Sequence, residues 1–598
     1  MEHTLTGGAF IVSETKAKDI FIVEDFSEEQ QMMKESVKEF IDREVWPHKE
    51  KFEKKDYAFT EELMVKAGEM GFLSIAVPEA YGGMGMSFMS TILVCDYISG
   101  ATGSFATAFG AHTGIGTMPI VLYGTEAQKQ KYVPKLASGE WFGAYCLTEP
   151  EAGSDANSGK TKAVLSEDGT HYKISGQKMW ISNAGFCSLM IVFARIEDDK
   201  NLTAFIVEYD AENPNGITLG DEEKKLGIRA SSTRQVFFNE TVVPVENMLS
   251  DRQNGFKIAL NILNIGRIKL ASACLDACRR ITSNAVTYAN ERKQFGTTIA
   301  SFGAVQEKLA LMVTKTFVTE CGVYRAGGAI QQKIDALVAA GKTHQEAELK
   351  GVEDFALECA ILKVYGSEVG QYVADEGLQI YGGMGFSEDT PMEAAWRDAR
   401  ISRIYEGTNE INRLLTVGML MKKALKGELD LMTPAMAIAN DLMGIPSFDT
   451  PDFSELFAEE KIILENLKKV FLMVAGKAVE KYGMELEKQQ ELILCAAEIL
   501  IEVYMAESTL LKTEKLISKT SVEQASLQIA MTRLNLFNAV EKINNKGKEA
   551  IISFTYNDEQ RMLLIGLKRF TKYYNFPNII ALKKEIANDV ISKNAYPC

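Results

Sequence analysis

A change of hydrophobic period restricts this chain more than any other feature. From about residue 146 to 250, short runs such as HYKISGQKMWISN, LMIVFARI, LTAFIVEY and RQVFFNETVV are separated by Gly, Asn, Asp and Pro, which is the pattern of strands and turns. On both sides the apolar spacing is helical. Upstream, Ser27 and Gln30 form a capping box ahead of QMMKESVKEFIDREV, and apolar residues recur in segments that include Leu63, Val65, Met70 and Val133. Downstream, FKIALNILNIGRIKLASACLDACRRITSNAVTYANERKQ is the material of a helix bundle. The expected fold is multidomain α+β: an N-terminal helical domain (25–145), a middle β-barrel-like domain (146–254), a C-terminal four-helix bundle (255–425), a Pro-punctuated linker (426–453) and an additional helical domain (454–598).

Composition removes several function classes. The 598 residues carry 81 acidic against 65 basic side chains, a net charge of -16, so the molecular field repels phosphate polymers and nucleic acid is not expected as a partner. No apolar run reaches the roughly 18 to 20 residues of a spanning helix, and MEHTLTGGAFIVSETKAKD lacks a signal pattern. A cytoplasmic protein follows. Nine cysteines without a CxxC pair argue for reduced thiols and against a disulfide framework or zinc, and Cys274 and Cys278, one turn apart, read as core residues. None of the five histidines adjoins GxSxG or HExxH, so no metal is expected, and neither a Rossmann GxGxxG nor a P-loop occurs.

Several stretches remain that chemistry can use. The GGMG clusters at 82–85 and 382–385 permit close backbone approach to a ligand, or simply end helices. CLTEPEAGSD (146–155) offers backbone N–H groups and the hydroxyls of Thr148 and Ser154 to an anionic or flavin-like ligand; the bland alternative is a capped turn. In KMWISN, Trp180 and Ser182 fall on one strand face, where an indole can cover a flat heterocycle or simply fill a core. Arg267 lies in the apolar run LNILNIGRIKLA and Arg292 beside ERKQFG; each either meets an anion or snorkels. In ISRIYEGTNEINRLL (401–415), Glu406 is either a helix cap or a base.

CLTEPEAGSD, KMWISN, KLGIRASSTRQVFF, YANERKQFG, QIYGGMGF and RIYEGTNEI occur in one order across roughly residues 25–425, and in that order and spacing the chain resembles the acyl-CoA dehydrogenase family. The added C-terminal domain resembles the very-long-chain branch, whose members are dimers. The resemblance implies FAD as cofactor, a fatty acyl-CoA substrate and Glu406 as the base that takes the α-proton. A free glutamate, with a pKa of about 4.3, is a weak base for a carbon acid, so burial must raise it, with Arg267 steadying its charge. Gly407 lets the backbone approach the thioester oxygen. Some members carry the base immediately before the matching arginine; here that position is Gly266. Glu410 is the competing carboxylate, expected at flavin or solvent.

By the same match Tyr145, Leu147, Thr148, Gly153, Ser154, Trp180 and Ser182 line the flavin of their own subunit, together with Thr408 and Glu410. Ser154, Asn264, Arg267 and Gly407 meet the acyl-CoA. Arg292, Gln294, Phe295, Gln379, Gly382 and Gly383 reach the FAD of the neighbouring subunit, making a homodimer part of the site. Glu151 departs from the family's usual glycine.

Small residues in FGAHTGIG (Gly110, Ala111, Gly114, Gly116) leave either a deep apolar channel or a close helix contact. With the extension, they favour long-chain substrates. ENLKKVFLMVAGKAVEKYG (465–483) is basic and amphipathic, a stripe that helix–helix packing explains at least as well as a membrane, and residues 430–453 of the linker carry Asp430, Asp441, Asp449 and Asp452 and no lysine or arginine, so weak or no membrane association is expected. The expected reaction yields trans-2-enoyl-CoA and passes electrons to an electron-transferring flavoprotein. An acyl-CoA oxidase and a non-catalytic scaffold are the alternatives.

Overall fold

A computed structural model describes residues 6–443 and 452–597. The first long helix, Glu28–Phe40, begins at the expected capping box: Ser27 Oγ accepts the Gln30 N–H at 3.2 Å and Gln30 Oε1 accepts the Ser27 N–H at 3.1 Å. Leu63 and Val133 are buried, whereas Val65 and Met70 face solvent. The buried stripe is thus narrower than the apolar spacing suggested. Phe88–Ile98 is buried along its whole length, as a helix apolar all round must be. Gly103–Gly110 runs into a wider π-helical turn, Ala111–Gly116.

Eight strands form the middle layer: β1 Gly143–Cys146, β2 Lys162–Leu165, β3 His171–Ser182, β4 Leu189–Ile196, β5 Thr203–Glu208, β6 Ile217–Leu219, β7 Thr233–Pro244 and β8 Met248–Leu249. Their order is β6-β7-β3-β2-β4-β5-β8, with β1 parallel to β4. The two faces of β4 explain the architecture. Met190, Val192 and Ala194 join Ile174, Phe205, Val236 and Phe238 in one core enclosed by the strands. Leu189, Ile191 and Phe193 point the other way, into the helical core. The period of 2 thus serves two cores at once. The sheet curls like a barrel but stays open between its edges, β6 and β8.

Gly255–Ser272, Leu275–Glu291, Gly303–Ala339 and Ala356–Tyr381 make the bundle. The extension's Gln490–Lys519 helix packs on it so closely that a Cβ on Gly322 would lie 2.7 Å from Met505 Cε. Buried ion pairs cross this contact, Arg325 to Glu507 at 2.6 Å and Lys512 to Glu320 at 2.8 Å. The same helix holds an upstream segment: Lys515 Nζ reaches Asp25 at 2.7 Å and the Ile20 carbonyl at 2.6 Å, while Leu511 packs with Ile20 and Ile22.

Two expectations need correction. Gly103–Tyr123 and Gly255–Glu291 are long and apolar enough to cross a membrane by length and composition, but 78% and 67% of those windows are buried within the fold; they are core helices. The linker is partly a helix, Met432–Met443, because Asp430 Oδ1 accepts the Thr433 N–H at 3.0 Å and Pro434 sits in the first turn, where its missing N–H costs nothing. Residues 444–451, with Asp449, lie outside the described residues. The basic stripe of Ala458–Tyr482 is used internally: Lys468 is buried against Glu507 at 2.7 Å, and Lys477 pairs with Glu559 at 2.5 Å.

Candidate active site

Glu406 sits on a two-residue reversal between a short helical turn, Arg400–Arg403, and the helix Asn409–Leu425. Its φ is 58° and that of Gly407 is 82°. Glycine takes this left-handed conformation freely, but a glutamate does so at a cost of about 1–2 kcal/mol. The surroundings hold it there. Asn412 Nδ2 donates to the Gly407 carbonyl at 2.8 Å and the Thr408 carbonyl at 3.1 Å. Lys363, fully buried, donates to the Gly407 carbonyl and to Asn409 Oδ1, both at 2.7 Å. Arg267 Nε approaches the Glu406 carbonyl at 3.4 Å, and Thr408 Oγ1 caps the helix by accepting the Ile411 N–H at 3.3 Å.

This reversal aims the carboxylate at the Gly255–Ser272 helix. A Cβ on Gly266 would lie 2.7 Å from Glu406 Oε2, so only glycine leaves the acid its place. Oε2 is buried with no hydrogen-bond partner. Burial pushes the carboxyl up to about 7, against the opposing charges of Arg267 and Lys363. Arg267 is itself buried and donates to Asn264 Oδ1 at 2.7 Å. On the sheet side, Tyr145 is buried with its hydroxyl unpartnered, its pKa driven well up by burial and then by Glu406.

Glu406 borders a cavity of about 730 Å³. Gly266 and Leu270 wall it on one side, Ala106, Gly110 and Gly114 on the other, and Ser182 and Tyr405 near the acid. The FGAHTGIG stretch resolves by position. Gly110, Ala111 and Gly114 line the cavity, whereas Gly116 packs on β1, where a Cβ would come within 2.9 Å of Gly143. Cys274 and Cys278 also face the cavity, so they are not purely core residues.

The stretch after β1 is pinned by a buried ion pair. Lys178 Nζ, fully enclosed, reaches Glu149 Oε1 at 2.7 Å, the Phe193 carbonyl at 2.6 Å and the Leu147 carbonyl at 3.3 Å. Glu149 also accepts the N–H groups of Lys160 at 2.6 Å and Thr161 at 3.1 Å. Burial alone would raise its pKa, but these donors hold it below the usual range. Gly153 and Ser154 are exposed beyond it, and Glu151 points to solvent, paired with Lys160. Trp180 and Ser182 do not share a plain strand face: β3 bulges between Lys178 and Ile181, and Trp180 takes φ 61° and stands 54% exposed. The bulge turns the indole outward.

Arg292, Gln294, Phe295, Gln379, Gly382 and Gly383 form a separate exposed patch. Tyr288 stacks on Tyr381 at 4.1 Å and brings the two helix ends that carry the patch together. Nothing lies within 4 Å of a Cβ built on Gly382 or Gly383. Glu410 is exposed in the first turn of Asn409–Leu425, and its own backbone N–H holds its pKa below the usual range. Lys363, Asn409 and Asn412 are the functional residues that sequence reasoning missed. A lone lysine inside ALECAILKVYG was the available signal, of the same kind as Arg267 in its own apolar run.

A helical layer, a curled sheet and a bundle, with an acid bordering a cavity of about 730 Å³ at their junction, have the form of an enzyme with a concave small-molecule site. Four family models match the chain: the acyl-CoA dehydrogenase N-terminal domain over 27–140, middle domain over 144–241, and two C-terminal domain models over 253–420 and 466–569. A probable acyl-CoA dehydrogenase of Bacillus subtilis is 40% identical over 99% of this chain and 98% of its own. The human very long-chain specific acyl-CoA dehydrogenase is 42% identical over 60% of this chain and 52% of its own. The crystal structure of an acyl-CoA dehydrogenase complexed with FAD from Bacillus anthracis superposes with a TM-score of 0.95 at 41% identity, covering 99% of this chain and all of that one. The chain belongs to the acyl-CoA dehydrogenase family.

Proposed function

We propose that this protein is an FAD-dependent acyl-CoA dehydrogenase that converts a saturated long-chain acyl-CoA to the trans-2-enoyl-CoA, with Glu406 as the base. The observation that carries the reading is the unpartnered, buried Oε2 of Glu406 at the edge of a cavity of about 730 Å³. A carboxylate with a pKa near 7 takes a proton from carbon far better than a solvated one, yet is still ionised in a useful fraction at neutral pH. Arg267 offsets its charge without occupying Oε2, because the guanidinium is committed to Asn264 and the Glu406 carbonyl. No acceptor among the described residues takes the Glu406 N–H, which leaves it for the thioester oxygen as enolate charge develops.

The residues fit a flavin. Tyr145 presents an orphaned hydroxyl, Trp180 an outward indole, and Gly153 an open backbone with nothing within 4 Å of a Cβ. FAD, when bound, supplies the acceptor for the β-hydride. Leu147, Thr148, Gly153, Ser154, Trp180 and Ser182 would hold it from this subunit, with Thr408 and Glu410 at the turn. The exposed patch from Arg292 to Gly383 would serve the partner's FAD in a homodimer, and an electron-transferring flavoprotein would take the electrons onward.

Mixing the holoenzyme anaerobically with palmitoyl-CoA and with butyryl-CoA tests the reading. Flavin bleaching by palmitoyl-CoA at much lower concentration than by butyryl-CoA is expected; bleaching by neither rejects the activity, and a preference for butyryl-CoA rejects the long chain. The geometry at Gly266 gives a second expectation. Gly266→Ala should displace the Glu406 carboxylate by most of an ångström and slow bleaching by about 10²-fold, with FAD retained; an unchanged rate would mean that Oε2 is not where the proton is taken.

A further inference from the structure

The same cavity is bordered by a buried lysine that has no part in the chemistry above. Lys269 is 7% exposed and lies three residues past Gly266, about 4.5 Å further along the helix axis. Its Nζ would sit 3.8 Å from a Cβ on Gly114 across the cavity, and both residues line it. Among the described residues it makes no hydrogen bond, and no carboxylate lies within ion-pairing distance of it. Its charge is felt by Cys95, His112 and Glu348. None of them satisfies it. Both His112 nitrogens are used, Nδ1 accepting the Gly143 N–H at 3.1 Å and Nε2 donating to the Leu136 carbonyl at 2.9 Å.

An enclosed ammonium with no carboxylate in direct contact is costly, and this one borders the space that the substrate must enter. Gly266 faces the Glu406 carboxylate, whereas Lys269, nearly one helical turn further on, faces Gly114, so Lys269 addresses a part of the substrate beyond the thioester. Leu270, Ile98, Phe109 and Ala111 give the cavity an apolar lining. At Gly114 any side chain would stand in front of the ammonium; its absence leaves room for a ligand atom there.

We propose that Lys269 binds a carboxylate carried by the acyl chain itself, so that the cavity accepts CoA esters whose chain ends in a second carboxyl group. This rests on the reading of the cavity as the acyl channel. The test uses the holoenzyme and pairs of CoA esters of equal chain length, from six to sixteen carbons, one ending in methyl and one in carboxyl. Half-saturation of anaerobic flavin bleaching is read for native, Lys269→Met, Lys269→Arg and Gly114→Leu proteins. Within one window of chain length the native enzyme is expected to take the carboxyl ester at a tenfold or more lower concentration than its methyl partner. Lys269→Met should reverse that ratio, Lys269→Arg should keep it, and Gly114→Leu, which leaves the lysine in place but blocks it, should lose it. A native preference for the methyl ester at every length overturns the proposal, as does a ratio that Lys269→Met leaves unchanged. Failure of every ester of both kinds to bleach the native flavin would instead reject the acyl-CoA reading, and this inference with it.

Discussion

Glu406→Gln holoenzyme mixed anaerobically with palmitoyl-CoA should keep its flavin colour, with bleaching slowed by about 10³- to 10⁴-fold. Glutamine fills the same space beside Gly266 but takes no proton. In the native enzyme the rate should rise with pH through about 7, because burial raises this carboxyl and only its ionised form is a base. The residual rate of the variant should lack that limb. Stability should move the other way. A folded-state pKa above the unfolded value favours the protonated native form, so the contribution is full below about 4.3 and is lost as pH rises through about 7. At pH 8 the glutamine variant is therefore expected to melt at or above the native temperature, the usual mark of an acid held in place for function. Stopped-flow bleaching from pH 5.5 to 9 checks the rate. Bleaching of the variant at the native rate would put the base elsewhere.

Glu149→Ala is expected to destabilise the protein by roughly 3–5 kcal/mol, the cost of leaving a buried charge without its partner. Lys178 would retain only the Leu147 and Phe193 carbonyls, and the N–H groups of Lys160 and Thr161 would lose their acceptor. The Leu147–Ser154 stretch should then loosen and FAD should be released at a lower temperature. Glu149→Leu combined with Lys178→Met should recover most of the loss, since an apolar pair needs no counter-charge. Denaturant unfolding followed by circular dichroism measures both, and a loss under 1 kcal/mol for Glu149→Ala would show that the ion pair does not hold the stretch.

Much of this arrangement was legible in the residues. Helical and strand periods are local, so the order of layers could be read directly; one of the six motifs, RIYEGTNEI, carries Glu406, and Arg267 stood out as a lone charge in the apolar run LNILNIGRIKLA. Gly266 could be read as leaving the base to Glu406, though not as the surface against which its carboxylate rests. What could not be read depends on contacts far apart in sequence. Lys363 meets Gly407 across 44 positions, and nothing in its own helix points to that loop. The outward turn of Trp180 comes from a bulge in the pairing of β3 with β7, which neither strand displays alone. Pro434 read as a break because prolines end helices, but a capping Asp430 put it in the one turn that tolerates it.

The clasp between residues 20–25 and the Gln490–Lys519 helix sets a schedule on synthesis. Asp25 leaves the ribosome almost 500 residues before Lys515, its partner at 2.7 Å, an interval of roughly 25 to 100 seconds at ordinary elongation rates. Ile20 and Ile22 spend that time without Leu511. The segment can meet the bundle helix earlier, through Phe26 on Tyr324 and the Asp19 carbonyl on Gln332, but its clasp to the extension closes only when nearly the whole chain exists, so the last-made domain locks one of the first-made stretches.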